Sequence, residues 1–342
     1  MDPFDGIRAP TIEDNWRGIV LYGRNVQSYK FALAKSLLEL EPAEGDLILL
    51  EELAPVYAKH LTDHLKLADK QGTSGSSKFL DACRGFNLGT VSQAELVDAA
   101  VSKGFANVID AFHRVHHKDV PARFFLDERK TNGGIRVTNN FSILAEQPQF
   151  ADLSREAEAR WRLVETAWEL KVSRALVAVD HDPDTELLFT VDNKRRRKNV
   201  TSSRDALNGY QLGCCFYCFD NIHLDRGNES FPEVDHFFPH SLKQQGFGPS
   251  IDGVWNLVLA CKECNRGEGG KFASVPTDKL LRRLWTRNEF LIGSNHPLKE
   301  TLVRQTGSQR EERWSFLRDF RSRAWASLLH RWEPKEKAEP KF

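Results

Sequence analysis

No stretch of this 342-residue chain approaches the ~20 consecutive apolar residues that a membrane-spanning helix requires. The opening MDPFDGIRAP has neither a basic start nor an apolar core, so we expect no signal peptide, no membrane partner and a cytoplasmic protein. Collagen-like, mucin-like and coiled-coil biases are missing, and no internal repeat is visible. The first 200 residues contain no Walker-type loop and no DNA-reading motif. Net charge is missing too, with 48 Lys and Arg against 48 Asp and Glu. Cysteine is sparse at six residues, and without a secretory signal these argue against a disulfide framework.

The balanced charge hides an uneven distribution. The first hundred residues are acid-rich, Lys262 to Arg331 is basic, and KRRRK at 194–198 is a concentrated cluster. Such asymmetry can mark a polyanion-binding half, although a charge run alone is more often a solvated face. Helical periodicity covers 14–40 with a break at Gly23, 44–69 with an interruption at Pro55, and 92–103 and 105–117. QGTSGSS at 71–77 reads as a flexible loop. Asn132-Gly133-Gly134 between β-branched residues predicts a hairpin, and DHDPDT at 180–185 a second one. DLSREAEARWRLVETAWELKVS is a strong helix. His113, His116 and His117 have no acidic or thiol partners in sequence, so we read them as structural or surface residues. KRRRKNVTSS at 194–203 makes a domain boundary. Beyond it, RDALNGYQ, TDKLLRRLWTRNEFLI and EERWSFLRDFRSRAWASLLHRW read as helices, the last two interleaving Arg with Trp. The tail EPKEKAEPKF is expected to be disordered.

Four of the six cysteines form two C-x-x-C pairs, Cys215 with Cys218 and Cys261 with Cys264, separated by about 42 residues. Two such pairs can supply the four thiolates of a tetrahedral structural zinc site, which would clip the ends of a long insertion together. Two buried reduced pairs is the plainer alternative. Cys83 reads as a small buried hydrophobe, and Cys214 stands apart. The insertion holds EVDHFFPH and VWNLVLA. An Asp-His step alone is most often a surface pair, and Pro239 disfavours the helix that an H-x-x-x-H ligand pair of His236 and His240 would need.

Taken in order, CFYC, VDHFFP, WNLVLA and CKECN resemble an HNH nuclease of the four-cysteine-zinc, ββα-metal type, over residues 206–285. The resemblance implies that Asp235 and Asn265 are ligands of a catalytic Mg2+ or other divalent metal, and that His236 is the general base. It implies that Asn256 orients the loop bearing His236 by hydrogen bonding, and that Cys215, Cys218, Cys261 and Cys264 hold structural Zn2+. The chain departs from the family pattern where a lysine usually follows the last Asn by three residues. Glu268 stands there, and a glycine-rich turn would have to bring Lys271 back to phosphate, assisted by Arg266. His240 is a phosphate contact or structural, and the role of His223 is open. The run RNEFLI…HPLKETLVRQTG is similar to one in standalone bacterial HNH proteins linked to defence against foreign DNA.

The chemistry agrees with the resemblance. An imidazole titrating near ~6.5 is an available base, and magnesium prefers carboxylate and amide oxygen over thiolate. The arginines of the C-terminal helices would add sequence-independent phosphate contacts, while their tryptophans can equally form a core. The expected fold is therefore α+β. It comprises a mainly helical domain (1–200), a zinc-stabilised ββα-metal (HNH) finger (206–285) and a helical C-terminal extension (286–342) ending in the disordered tail. The expected function is a metal-dependent endonuclease that binds and cuts DNA, with specificity or activation supplied by the first 200 residues or a partner protein. RNA is the alternative substrate, and a noncatalytic zinc module that binds nucleic acid or a partner is the alternative from another class.

Overall fold

The computed structural model describes residues 10–23, 27–73, 77–115, 118–169, 179–191, 197–294 and 296–342. Helix accounts for 52% and strand for 15%, so the mixed α and β character expected from the sequence holds in that coarse form. The described residues divide into two compact units, 10–169 and 179–342. Among them, no helix is long and apolar enough to cross a membrane.

In the first unit, α1 (Ile12–Arg17) opens on a capping box in which Thr11 accepts from the Asp14 N–H and Asp14 accepts from the Thr11 N–H. The chain continues as a wider helical turn over Gly18–Tyr22, then α2 (Tyr29–Leu40). β1 (Leu47–Leu49) precedes α3 (Leu50–Leu67), correcting the helix expected from residue 44. Pro55 does not interrupt α3, because a proline on the exposed side of the second turn costs the helix one hydrogen bond near its end. α4 (Lys78–Asn87), α5 (Gln93–Ala99) and a short α6 (Val108–Ala111) follow. The helix expected over 105–117 stops early and gives way to β2 (Arg114–Val115) and β3 (Lys118–Asp119), a small antiparallel pair. His116 and His117 lie outside the described residues. β4 (Phe125–Glu128) and β5 (Gly134–Val137) form the hairpin at Asn132-Gly133-Gly134, and β5 is the middle strand of a sheet ordered β1-β5-β4. Gly134 has to be glycine, since a Cβ there would lie 2.2 Å from the Ile48 carbonyl oxygen. α7 (Asn139–Ala145) and α8 (Phe150–Glu169) complete the unit.

Trp16, Phe31, Tyr57, Phe79, Phe105, Phe112, Phe124 and Trp161 are fully buried in this unit. Two of its buried charge clusters are paired. Arg17 donates to both oxygens of Glu156 at 2.8 and 3.0 Å. His64 stacks flat on Trp161 and meets Glu165 at 2.8 Å and Glu158 at 3.1 Å. His113 is structural, with Nε2 accepting the Phe124 N–H at 2.9 Å.

The second unit starts with β6 (Asp180–Asp182), β7 (Leu187–Val191) and β8 (Arg197–Ser202), an antiparallel sheet in that order. β8 runs straight into α9 (Ser203–Gln211), so the unit boundary falls before this sheet and not at 194–203. Of the basic cluster, residues 194–196 lie outside the described residues, and Arg197 pairs with Asp182 and covers the Phe189 ring. β9 (Glu233–His236) and β10 (Leu257–Ala260) are antiparallel, with His236 opposite Leu257 and Asp235 opposite Val258. Single 3₁₀ turns at His240–Gln245, Pro249–Asp252 and Val254–Asn256 fill the connection. α10 (Lys262–Arg266) follows β10 directly, then β11 (Val275–Pro276), α11 (Asp278–Gly293), α12 (Lys299–Thr306), α13 (Arg310–Ser327) and β12 (Arg331–Trp332), which pairs in parallel with β11. α13 contributes its phenylalanines to the core. Phe316 and Phe320 pack on buried Trp255, while half-buried Trp314 and Trp325 carry Arg282, Arg321 and Arg331 over their rings.

Candidate functional site

α9 ends in a left-handed turn at Leu212 (φ 52°) and Gly213 (φ 66°), which delivers Cys215 and Cys218 on a tight loop. Cys215 donates its N–H to the Asp220 carbonyl at 2.8 Å, and Phe219 donates to the Cys215 carbonyl at 3.1 Å. Buried Gln211 fastens this loop to β10 by donating to the Cys214 and Leu259 carbonyls and accepting the Leu259 N–H. The second pair comes from the start of α10, where the Cys261 sulfur caps the helix by accepting from the Cys264 N–H. All four sulfurs lie within 4.8 Å of one another, and Cys218 and Cys261 are 3.8 Å apart. Zn–S bonds of ~2.3 Å in a tetrahedron place sulfurs about 3.8 Å apart. The cluster therefore has the donors and the spacing to hold a structural metal such as zinc.

The protonation pattern points the same way. Neighbouring thiols hold Cys261 down by hydrogen bonding, while those neighbours push Cys264 up and burial pushes Cys215 up. Four sulfurs this close cannot all ionise without a cation, and a divalent ion lets all four act as thiolates.

The tail expected to be disordered instead runs over this cluster. Lys337 and Ala338 donate their N–H groups to the Cys218 carbonyl at 3.0 and 3.3 Å. Phe342 is buried against Tyr210, Phe216 and Phe219. Composition could not reveal this, because backbone groups and one terminal ring join the ion pairs of Glu336 and Lys337 as anchors.

Between the two cysteine pairs, His236 and Asp235 end β9 on opposite faces, as successive strand residues must. Asp235 is buried. Tyr217 donates to its Oδ2 at 2.5 Å, and the Lys271 ammonium lies 3.1 Å from its Oδ1. Burial raises the pKa of this carboxyl, and Lys271 and Tyr217 oppose that rise. Lys271 is fully buried and also donates to the His236 carbonyl at 2.9 Å. The glycine-rich turn does loop out and return, with Lys271 donating its N–H to the Cys264 carbonyl and Gly269 at φ 73°. It brings Lys271 to Asp235, so the expectation that Lys271 reaches phosphate is corrected: its charge is already neutralised inside the unit. Asn265 donates to Glu233 Oε2 at 2.8 Å, and Arg266, largely exposed, pairs with Glu233 Oε1 at 2.5 Å. The divalent cation implied for Asp235 and Asn265 thus meets a carboxylate whose two oxygens already face donors and an ammonium, and the oxygens do not fit it as they stand.

His236 belongs to a different set of neighbours. Its Nε2 lies 3.3 Å from Asp252 Oδ1, and His240 Nε2 lies 3.2 Å from the same oxygen. Lys243 holds Asp252 Oδ2 at 2.6 Å. The His181 ring, from β6, is 6.0 Å from that of His236. Among the buried polar atoms, both ring nitrogens of His181, Nε2 of His236 and Oδ1 of Asp252 make no well-aligned hydrogen bond. Burial lowers the His236 pKa to about 4, Asp252 opposes this, and His181, His240 and Lys271 add to the lowering. His236 is therefore neutral at neutral pH. Fully buried Asn256 fastens the chain after it. The Asn256 carbonyl accepts from Phe237 N–H at 2.7 Å, its Oδ1 accepts from Phe238 N–H at 2.8 Å, and its amide donates to the Phe238 and Ile251 carbonyls.

Sequence reading missed Tyr217, Glu233, His181 and Asp252. Asp252 stands in the connection between β9 and β10 with no motif to mark it, and His181 sits in a segment that read only as a turn. No protein-family model matches this chain, and no match to it is found among curated proteins or among solved structures.

Proposed function

We propose that the chain is an endonuclease of the HNH type that hydrolyses phosphodiester bonds of DNA. β9, β10 and α10 would be its ββα finger, Cys215, Cys218, Cys261 and Cys264 would hold structural zinc, and His236 would be the general base. The observation that supports this most is the mounting of His236. A neutral imidazole ends a short strand, its following loop is hydrogen-bonded through both main chain and side chain of Asn256, and a four-thiol cluster ties the flanking segments together. In the reaction, the oxygen of a water molecule attacks phosphorus and its proton passes to His236. The bond from phosphorus to the 3′ oxygen breaks, and that oxygen takes a proton from a second water molecule, leaving 5′-phosphate and 3′-hydroxyl ends. The base step is worth roughly 10²–10⁴-fold. Because Asp235 is closed by Lys271 and Tyr217, no step is assigned to a divalent cation. Arginines over tryptophans on α11 and α13 offer charge and flat surface to a nucleic acid. A role in defence rests on the resemblance alone.

The test is cleavage of supercoiled plasmid and total tRNA by wild type and His236→Ala, with magnesium and with EDTA, after elemental analysis for zinc. We expect wild type to nick plasmid and His236→Ala to lose at least about 100-fold of the rate, with zinc and folding intact. Equal rates for the two proteins would remove His236 from the chemistry, and preferential tRNA cleavage would move the substrate to RNA. One observation favours the second reading, a noncatalytic zinc module: the Asp235–Lys271 pair is complete without any ligand. Zinc-loaded wild type that cuts neither polymer would support it.

A further inference from the structure

The geometry points to Asp252 as the positioning residue of His236, the carboxylate that fixes its tautomer and so leaves Nδ1 free to take a proton. The inference rests on the reading of His236 as a base. An ionised carboxylate only accepts hydrogen bonds, so an imidazole nitrogen 3.3 Å from Asp252 Oδ1 is best satisfied as N–H. That nitrogen is Nε2, which puts the lone pair on Nδ1.

Several features aim this carboxylate. Lys243 takes Oδ2 at 2.6 Å and leaves Oδ1 toward the histidines. The turn that carries Asp252 is fixed by the Gly253 N–H on the Ser250 carbonyl at 3.1 Å and by the Trp255 indole on the same carbonyl at 3.0 Å. Asn256 then joins the two halves of the device. Its side chain donates to the Ile251 carbonyl beside Asp252 and accepts from Phe238 N–H two residues after His236. One buried amide thus sets the base and its carboxylate in a common frame.

The surroundings leave Asp252 as the natural acceptor. The other groups facing His236 are His181 from β6, His240 from the following turn and Lys271, none of them a carboxylate. His181 is only 7% exposed with both nitrogens unpartnered, so it walls the ring without competing as a fixed acceptor. His240 shares Asp252 Oδ1 but is half exposed and can turn to solvent. An Asp252 Oδ1 buried without an aligned donor is costly unless a small ring rotation closes the His236 contact.

The test uses full-length zinc-loaded protein with ¹⁵N-labelled histidine, comparing wild type, Asp252→Asn, Asp252→Glu and Lys243→Ala. His236 resonances are assigned by their loss in His236→Ala. We expect the Nε2–H tautomer in wild type at pH 7, and a shift toward Nδ1–H in Asp252→Asn, whose amide can donate to Nε2. Plasmid nicking by Asp252→Asn should fall on the order of 100-fold in kcat with KM little changed, and Asp252→Glu should recover part of it. Should Asp252→Asn fail to fold, Lys243→Ala, at a half-exposed side chain, loosens the same carboxylate and should mix the tautomers. An unchanged His236 tautomer in the folded variant, or an unchanged kcat, overturns the inference. A wild type that cuts nothing overturns the nuclease reading instead, while the tautomer measurement still decides the role of Asp252.

Discussion

His64 is a buried imidazole and His236 a partly buried one, one in each unit, and they are held in opposite ways. His64 lies flat on Trp161 with a carboxylate on each nitrogen. Burial lowers its pKa, and the two carboxylates outweigh burial and raise it overall. His236 has one carboxylate close but unaligned, imidazole neighbours on two sides, and a pKa lowered to about 4, chiefly by burial. A fully partnered imidazole is a structural cross-link. A buried one left with spare hydrogen-bonding capacity has something to exchange with a ligand. The contrast lies chiefly in the partners each fold supplies.

The strongest way to sharpen that contrast is to remove the metal from one unit alone. Cys261→Ser should lose zinc and cooperative folding of 179–342 together, because binding energy of roughly 10 kcal/mol or more is available from a site of this type. Hydrogen exchange on the full chain should then show protection lost across β9, β10 and α11 and kept across α2, α3 and α8. Retained protection in 179–342, with normal solubility, would mean that the thiols are reduced bystanders.

A smaller effect is expected from breaking the partnered histidine. His64→Leu takes one of two cations from Glu165, only 3% exposed, and leaves Arg162 on its other oxygen, so it should cost about 2–3 kcal/mol, the upper range for a lost hydrogen bond to a charged group. The sign with pH follows from the raised pKa. The ion-pair contribution is fully present below the unfolded value near ~6.5 and is lost as pH rises through the folded value. Denaturant midpoints of the two proteins should accordingly differ more at pH 6 than at pH 9. A gap that widens toward pH 9 would mean that His64 is neutral in the folded chain.

Legibility followed how local the cause was. α8, α11 and α13 declared themselves by period, and the β4–β5 turn by Asn132-Gly133-Gly134, because each signal lies within one turn or helix. The thiol cluster was legible since C-x-x-C spacing is itself a loop geometry. β1 was not, because Leu47–Leu49 is a strand only through pairing with Gly134–Arg136, nearly ninety residues on. The same limit hid Asp252 and His181 and misplaced Lys271. Which carboxylate meets which base is decided by folds of the chain between strands, and one-dimensional spacing carries no trace of it.

The tail supplies the least of the expected effects and the finest test of what closes the unit that carries the thiol cluster. Deleting residues 333–342 exposes the face formed by Tyr210, Phe216 and Phe219 and removes the two N–H donors from the Cys218 carbonyl. Burying a phenylalanine contributes about 2 kcal/mol, and water can replace the donors, so the loss should stay near that figure. It should fall on the thiol cluster first, because Lys337 also bridges Asp220, two residues after Cys218, and Glu263, between Cys261 and Cys264. Zinc release to a coloured chelator should quicken about tenfold, the equivalent of ~1.4 kcal/mol, while His236 keeps its tautomer. Unaltered release would show the tail lying on the cluster without holding it shut. A tautomer change at His236 would show instead that the thiol cluster and the histidine pocket are mechanically one site, which their separate hydrogen-bond sets argue against.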